Sequence, residues 1–417
     1  MEGGAAPPRS RGVGHSLGFG AFRNVFASAA VSALGASISA ISVTWIVYHY
    51  THSALDISFL GLAGVLPGMA LGLLAGVIAD RYNRRTLMVT ADLVRMAGMA
   101  LLAATLVVVG FSLPLILGVM VLVYSFSALF TPASQAMLPR LVPTDSLEDA
   151  NGMLQATAAA MQSVGSAAGG LVVVALGAAW GLGFNALTYA VSASFLIRVA
   201  SDLGRPRPAG DGAPRSFRKD LVEGMQYLLH RRPILEATFV FLPANLLASL
   251  VGPFLVVYAA TRFSSDPSVF GYLVAVLALG AAAGALSVGR MRARRFAGWL
   301  LGLSVLGISG AVAAAAVTHS IGVALAASLA FGVAIGMINT TFYSTLQAIV
   351  PGEILARVLS IDSVGSFAAV PAGLLIGGIL IAQHGVGFCY LVAAIGLAVN
   401  GAVALGLRDF RSLRYGS

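Results

Sequence analysis

Charge is what this chain has least of. Of its 417 residues 10% are Asp, Glu, Lys or Arg and 58% are hydrophobic; a soluble domain carries about 25% charged residues. Such a composition cannot cover a surface with water-facing groups, so a soluble fold is excluded. Cysteine is nearly absent too. Cys389 stands alone, which excludes an internal disulfide and leaves it as a small packing residue in an apolar run. Lysine occurs once, at Lys219, so the net charge of +9 rests on arginine. No His, Asp and Glu cluster has metal-ligand spacing, no nucleophile–base set is evident, and neither a Walker loop nor a dinucleotide fingerprint occurs. These absences argue against a membrane enzyme, and no cofactor or metal is expected. Met1–Gly20 has Gly, Pro and Arg but no apolar core, so no cleavable signal is expected.

What the chain has is long apolar runs. They lie near 21–48, 55–79, 86–109, 113–137, 150–176 and 180–199, and again near 234–260, 268–289, 297–317, 320–345, 358–383 and 386–407. A membrane helix needs roughly 20 apolar residues, so the length holds twelve of them. The 49 glycines fit that class, because Gly lets membrane helices approach closely. All but two of the 25 Lys and Arg fall on one side of a twelve-helix drawing. The exceptions are Arg262, in an opposite loop, and Arg95, inside a helix. The positive-inside rule then places both termini and the central loop in the cytoplasm. It also explains the basic charge without nucleic acid. An offset of 208 residues carries Pro143 onto Pro351, and Gly72 and Gly76 onto Gly280 and Gly284, so the halves repeat.

Between the second and third runs lies Gly76-Val77-Ile78-Ala79-Asp80-Arg81-Tyr82-Asn83-Arg84-Arg85. It packs one carboxylate and three guanidiniums into six residues. This hairpin resembles the signature loop between helices 2 and 3 of the major facilitator superfamily. Gly76, Ala79, Asp80, Arg81, Arg84 and Arg85 match; Ile78 replaces Leu, and Asn83 replaces a Gly, as the residue that best tolerates left-handed backbone after Gly. The text around Pro139–Asp145 with Ala150-Asn151, and Glu223–Leu228 with Arg231-Arg232-Pro233, is similar to the branch holding siderophore exporters and macrolide-efflux proteins.

The resemblance implies an all-α membrane protein with twelve transmembrane helices in two pseudo-symmetric six-helix bundles, the major facilitator fold. The expected organisation is a disordered cytoplasmic tail over 1–20, a bundle over 21–199, and a cytoplasmic linker over 200–232. A second bundle follows over 233–407, with a short cytoplasmic tail over 408–417. Within the linker, Phe217–Leu229 has helical apolar spacing, which fits an amphipathic helix either in the membrane interface or on the protein underside.

Four-residue glycine stripes recur at Gly68, Gly72 and Gly76, at Gly165 and Gly169, at Gly280 and Gly284, and at Gly373 and Gly377. In the superfamily helices 2 and 11, and 5 and 8, meet across the halves, so these faces are expected to let one half rock on the other. The resemblance also implies a cytoplasmic latch of Gly76, Asp80, Arg81, Arg84, Arg85 and Asp362, with the loop Asp bracing the start of helix 11. Intramembrane charge is confined to Asp92 and Arg95, one turn apart and able to pair, and to Asp362, which has no local partner. All three are candidates for proton coupling. The first run has no acid, unlike many proton-coupled drug exporters of the superfamily. His49, His52, His319 and His384 lie near outer loops and read as surface residues.

The family's cavity is lined by helices 1, 4, 7 and 10. Here they offer Asn24, Ser42, Trp45, Tyr124, Phe126, Phe130, Gln135, Asn245, Asn339, Thr341, Tyr343 and Gln347. Aromatics and neutral amides suit a large, amphipathic, weakly charged compound. The leading function is therefore secondary active export of amphipathic small molecules by alternating access, driven by proton antiport. Competing functions are a passive facilitator or importer, and a non-transporting receptor or scaffold, which would not need matched glycine stripes. The expected partners are a small-molecule substrate and the lipid bilayer of the plasma (inner) membrane, without nucleic acid, and the expected state is a monomer.

Overall fold

In the computed structural model the described residues are 15–205, 231–263, 267–290, 296–350 and 368–414, with Gln226 and Val358. Among them the only regular structure is helical. The elements are α1 (Gly20–Thr51), α2 (Ala54–Arg81), α3 (Arg84–Val108), α4 (Leu113–Met137), α5 (Leu147–Leu176) and α6 (Ala178–Ile197). The second half has α7 (Arg232–Ala248), α8 (Leu255–Arg262), α9 (Pro267–Arg290), α10 (Ala297–Val317), α11 (Ile321–Ile349), α12 (Val370–His384), α13 (Val386–Gly406) and α14 (Arg408–Arg411). With α7 and α8 taken as one span, eleven segments of the described residues are long and apolar enough to cross a membrane, and α12 is a shorter apolar helix. The chain is a multi-pass membrane protein with the twelve spans its apolar runs require.

Helix pairing repeats between the halves. In the first, α1 packs on α5 and α6, α2 on α4, and α3 on α4 and α6. In the second, α7 packs on α12 and α13, α9 on α11, and α10 on α11 and α13. The joints repeat as well. A single glycine, Gly177 with φ 88° and ψ 158°, turns α5 into α6. Its mate 208 residues on, Gly385 with φ 82° and ψ 166°, turns α12 into α13. That backbone region is essentially restricted to glycine, so both hairpins depend on this residue type.

The run expected to be continuous over 234–260 is broken. Ser249–Gly252 and a 3-10 turn at Gly252–Phe254 separate α7 from α8. Pro253 has no N–H for the ladder and its ring obstructs the preceding turn. The carbonyls released there find partners inside the bundle. The Tyr390 hydroxyl donates to the Val251 oxygen at 3.1 Å, and the Cys389 thiol points at the Leu250 oxygen at 3.6 Å. Cys389 is thus fully buried and also patches a helix break.

Both terminal segments carry structure close to the bundle. Ser16 is buried, and its N–H and hydroxyl both donate to the Asp149 carboxylate, at 3.0 and 2.8 Å. Phe410 of α14 is buried, and its N–H donates to the Glu236 carboxylate at 2.7 Å. Residues 1–14 and, apart from Gln226, the amphipathic stretch 217–229 lie outside the described residues.

Candidate functional site

The one intramembrane ion pair among the described residues is Asp92 with Arg95 on α3, a turn apart as their spacing requires. Both are buried, so neither charge can be left to water. Three other helices complete the pair's surroundings. From α6, the Ser192 hydroxyl donates to the second Asp92 oxygen at 2.6 Å, and Ser192 meets Ser28 of α1 at 2.8 Å. From α4, Ser127 accepts from the Arg95 guanidinium at 3.4 Å. The guanidinium also lies 4.6 Å from the ring centroids of both Phe130 of α4 and Tyr189 of α6. It is sandwiched between two π-faces, which attract a cation strongly once water is excluded. Its Nε donates to the Ala91 oxygen at 3.3 Å.

The second half has no equivalent. Carried forward by 208, Asp92 and Arg95 become Leu300 and Leu303, Ser28 becomes Glu236, and Ser192 becomes Asn400. Asn400 donates to its neighbour's Val240 oxygen at 2.9 Å. A charge network built into one copy of a repeat is not demanded by the shared fold, which marks it as the candidate for function. The sequence exposes the two charges, but Ser28, Ser127, Ser192 and Tyr189 are ordinary residues in apolar helices, and no spacing rule brings them together.

Among the described residues, contacts between the halves are found at the end of the bundle away from the termini. There α5 meets α9, and α2 meets α12, as the resemblance implies. The glycine faces are distributed differently from expectation. A Cβ added to Gly165 would stand 2.7 Å from Ser37 of α1, and one on Gly169 3.0 Å from the Ile38 oxygen. Gly280 and Gly284 press on the backbone of Leu329 and Val333 of α11, while Gly373 and Gly377 press on Leu246 and Phe254. These three stripes face elements of their own half, and their neighbours make the crossing. Gly170 of α5 stands against Pro267, Ser268 and Gly271 of α9, and Gly378 of α12 stands against Ala54 and Ser58 of α2. The Ser58 hydroxyl donates across the halves to the Leu374 oxygen at 2.8 Å. Gly61 also meets Leu374, but Gly68, two turns nearer the termini on the same face, has no described atom within 4 Å of an added Cβ. The surroundings of Gly72 and Gly76 and the side chain of Asp80 are outside the described set.

Two arginines of the signature loop bond main-chain carbonyls of their own half. Arg84 donates to the Ala136 oxygen at 2.9 Å, at the end of α4. Arg85 donates to the Leu196 oxygen at 3.1 Å and to the Ile197 oxygen, at the end of α6. Cations at helix C-termini complement the exposed carbonyls and the helix dipole. Arg81 is exposed, and Asp362 lies outside the described residues. Asn83 is extended rather than left-handed, with φ −63° and ψ 117°, because it caps α3. Its side-chain oxygen accepts from the Thr86 N–H, and its amide donates to the Ser201 oxygen at 2.8 Å.

The expected cavity residues do not converge on one pocket. Asn24 and Trp45 are twenty-one residues apart on α1, roughly 31 Å along the axis. Trp45 is buried in the core, and Tyr124 packs on Gly64 of α2, where an added Cβ would be 3.5 Å from its ring. Asn24, Phe126 and Asn245 are half-buried and Gln135 is exposed. Asn339, Tyr343 and Gln347 recur every four residues on α11, and all three are exposed. His49, His52, His319 and His384 are exposed, as their positions imply.

Comparison with known proteins places this architecture. The model of a family described as transmembrane secretion effector matches residues 16–412. The multidrug efflux pump Tap of Mycolicibacterium fortuitum is 25% identical over 409 residues, covering 93% of this chain and 95% of Tap. Macrolide efflux protein A of Streptococcus pyogenes is 24% identical over 407 residues, covering 94% and 97%. Among solved structures, a bacterial homologue of the human lysosomal transporter Spinster, inward-facing and unoccupied, superposes with TM-score 0.73 at 16% identity, covering 97% of this chain and all of that one. The peptide transporter POT superposes with TM-score 0.75 at 13% identity, covering 97% of each chain.

Proposed function

We infer that this chain, which belongs to the transmembrane secretion effector family of the major facilitator superfamily, exports amphipathic small molecules by proton antiport. That family is one of transporters rather than enzymes. The efflux pumps similar to it along nearly their whole length are named for multidrug and macrolide substrates, which supports a large, amphipathic cargo. The one-sided distribution of cations supports an inner-membrane protein with its termini in the cytoplasm. With that orientation, halves that touch at the far end support a cavity open to the cytoplasm. Cargo would enter there past the exposed face of Asn339, Tyr343 and Gln347. The Asp80–Asp362 latch would close that side in the opposite state, the two states exchanging as the halves rock.

The observation that carries the coupling is the buried pair Asp92 and Arg95, present in one half alone. Uphill export needs energy, and the sequence has no nucleotide-binding loop, so an ion gradient is the source. A proton on Asp92 removes the charge that holds Arg95, leaving the guanidinium to its two aromatic faces. Because Phe130 and Ser127 belong to α4, that change reaches a helix that lines the family's cavity. Asp362 remains the second candidate for the same role. Accumulation of a macrolide in cells with and without the gene, with and without an uncoupler, tests the reading. The gene should lower accumulation, and the uncoupler should abolish the difference. Equal accumulation with and without the gene rules out export; lowering that survives the uncoupler rules out the proton.

A further inference from the structure

We propose that the cleft between α10 and α11 binds one acyl chain of an anionic phospholipid, with Arg411 and Trp299 receiving its head group. The cleft has a volume of about 530 Å³. Leu303 and Gly307 of α10 and Leu329, Ala330, Val333 and Met337 of α11 form its walls. The one hydroxyl in it, Ser304, donates back to the Leu300 oxygen at 2.7 Å and so presents no spare donor. Leu303 is 53% and Leu329 43% exposed, on helices that cross the membrane, so the cleft opens to lipid. Ala326 and Met337 mark its extent on α11. On α10 its lining runs from Leu300 to Gly307, roughly 10 Å of helix rising from the end nearer the termini.

The end nearer the termini is charged. The short helix α14 crosses the first turn of α10 so closely that a Cβ on Gly298 would stand 2.8 Å from the Arg411 Cα. The Arg411 guanidinium lies 5.4 Å from the Trp299 ring, and Trp299 is one turn from Leu303 on the same face. A ring that is 42% exposed at that level is placed as interfacial tryptophans are. Arg411 is half-buried, and its planar guanidinium suits a phosphate diester better than water. Arg408 and Arg414 are exposed on the same segment, with Asp409 half-buried between them. Charge of this density at a membrane edge selects anionic lipid. Free phosphate would satisfy Arg411 but leave the apolar cleft unfilled.

Trp299 reports on the site. The full chain carrying Trp45→Phe and Trp180→Phe has it as the sole tryptophan. In detergent micelles, phosphatidylglycerol brominated on its acyl chains should quench it at about fivefold lower concentration than brominated phosphatidylcholine, the effect expected of one basic residue at an anionic surface. Arg411→Gln should remove that head-group preference, and Gly307→Phe should weaken quenching by both lipids. Millimolar inorganic phosphate should not compete. Equal quenching by the two lipids in the parent protein overturns the proposal, as does a preference that survives Arg411→Gln. Competition by phosphate would assign the site to a free anion instead, and no quenching by either lipid would mean that something else, such as a second copy of this chain, covers the cleft. None of these outcomes depends on transport.

Discussion

Gly271 on α9 lies against Gly170 on α5, and the two come from different halves of the molecule. A Cβ on Gly271 would stand 2.9 Å from the Gly170 Cα and 2.9 Å from the Ser166 oxygen. Backbone meets backbone there, with no side chain able to yield. Gly271→Val should therefore hold the far end open while each half stays folded. Normal yield with lost transport is expected, together with increased labelling of a cysteine at Ser268 from the far side. Full transport by the variant would mean that this contact is not a closing surface.

Gly284 gives the opposite expectation. An added Cβ meets the Val333 carbonyl of α11, inside one half, where α9 and α11 interlock through Gly332 and Gly336 as well. Gly284→Leu overpacks this seam, and overpacking costs typically 1–3 kcal/mol. The folded fraction after detergent extraction should fall, with transport per folded molecule retained. A well-folded but inactive variant would return this face to the moving interface.

These two glycines show where sequence stops informing. Four-residue spacing makes Gly280 and Gly284 a stripe, but it does not say which neighbour the stripe faces. That depends on helix rotation, fixed by the whole set of contacts. The spans and the two halves were legible, because an apolar run of membrane length has few alternatives and because Pro143 and Pro351, like Gly76 and Gly284, recur 208 residues apart. The break in the seventh span carried its own sign in Gly252-Pro253. The partners of Arg84 and Arg85 were not legible, since main-chain carbonyls at helix ends have no sequence signature. The ion pair was half legible: its charges stand out, its serines and rings do not.

Tyr390 should matter for the break. Its hydroxyl is the donor to the Val251 oxygen beside the interrupted helix. Tyr390→Phe removes one of two donors to that carbonyl, the Phe254 N–H at 3.1 Å remaining, a loss of about 0.5–1.5 kcal/mol. Thermal unfolding in detergent should move to lower temperature, whereas Tyr390→Ala should move it further by also opening a cavity. An unchanged transition for Tyr390→Phe would mean that the Phe254 N–H alone satisfies the carbonyl.

Orientation can be read chemically. In a Cys389→Ala background, a cysteine at Ser53 should react with an impermeant maleimide from outside the cell. A cysteine at Ser412, exposed beside α14, should react only after the membrane is opened. The reverse pattern inverts the topology and, with it, the side to which the proposed cavity opens.

The pair of Asp92 and Arg95 separates structure from coupling. Asp92→Asn leaves a buried guanidinium without its counter-charge, and breaking a buried pair in this way costs about 3–5 kcal/mol. Arg95→Gln leaves the carboxylate in the same position. Each single variant should be poorly folded. The double variant removes both charges together, so much of the lost stability should return, with a coupling free energy of opposite sign to the single losses. If the pair serves only the fold, the restored double variant should export macrolide uphill like the parent. If Asp92 carries the proton, the double variant should fold, bind cargo and exchange it downhill, yet fail to respond to a pH gradient imposed on proteoliposomes. Asp362→Asn in the parent is the matched control, because it leaves the Asp92 network intact. Loss of the pH response in that control, together with its retention in the double variant, would move the coupling site to α12's side of the molecule and leave Asp92 and Arg95 as structural.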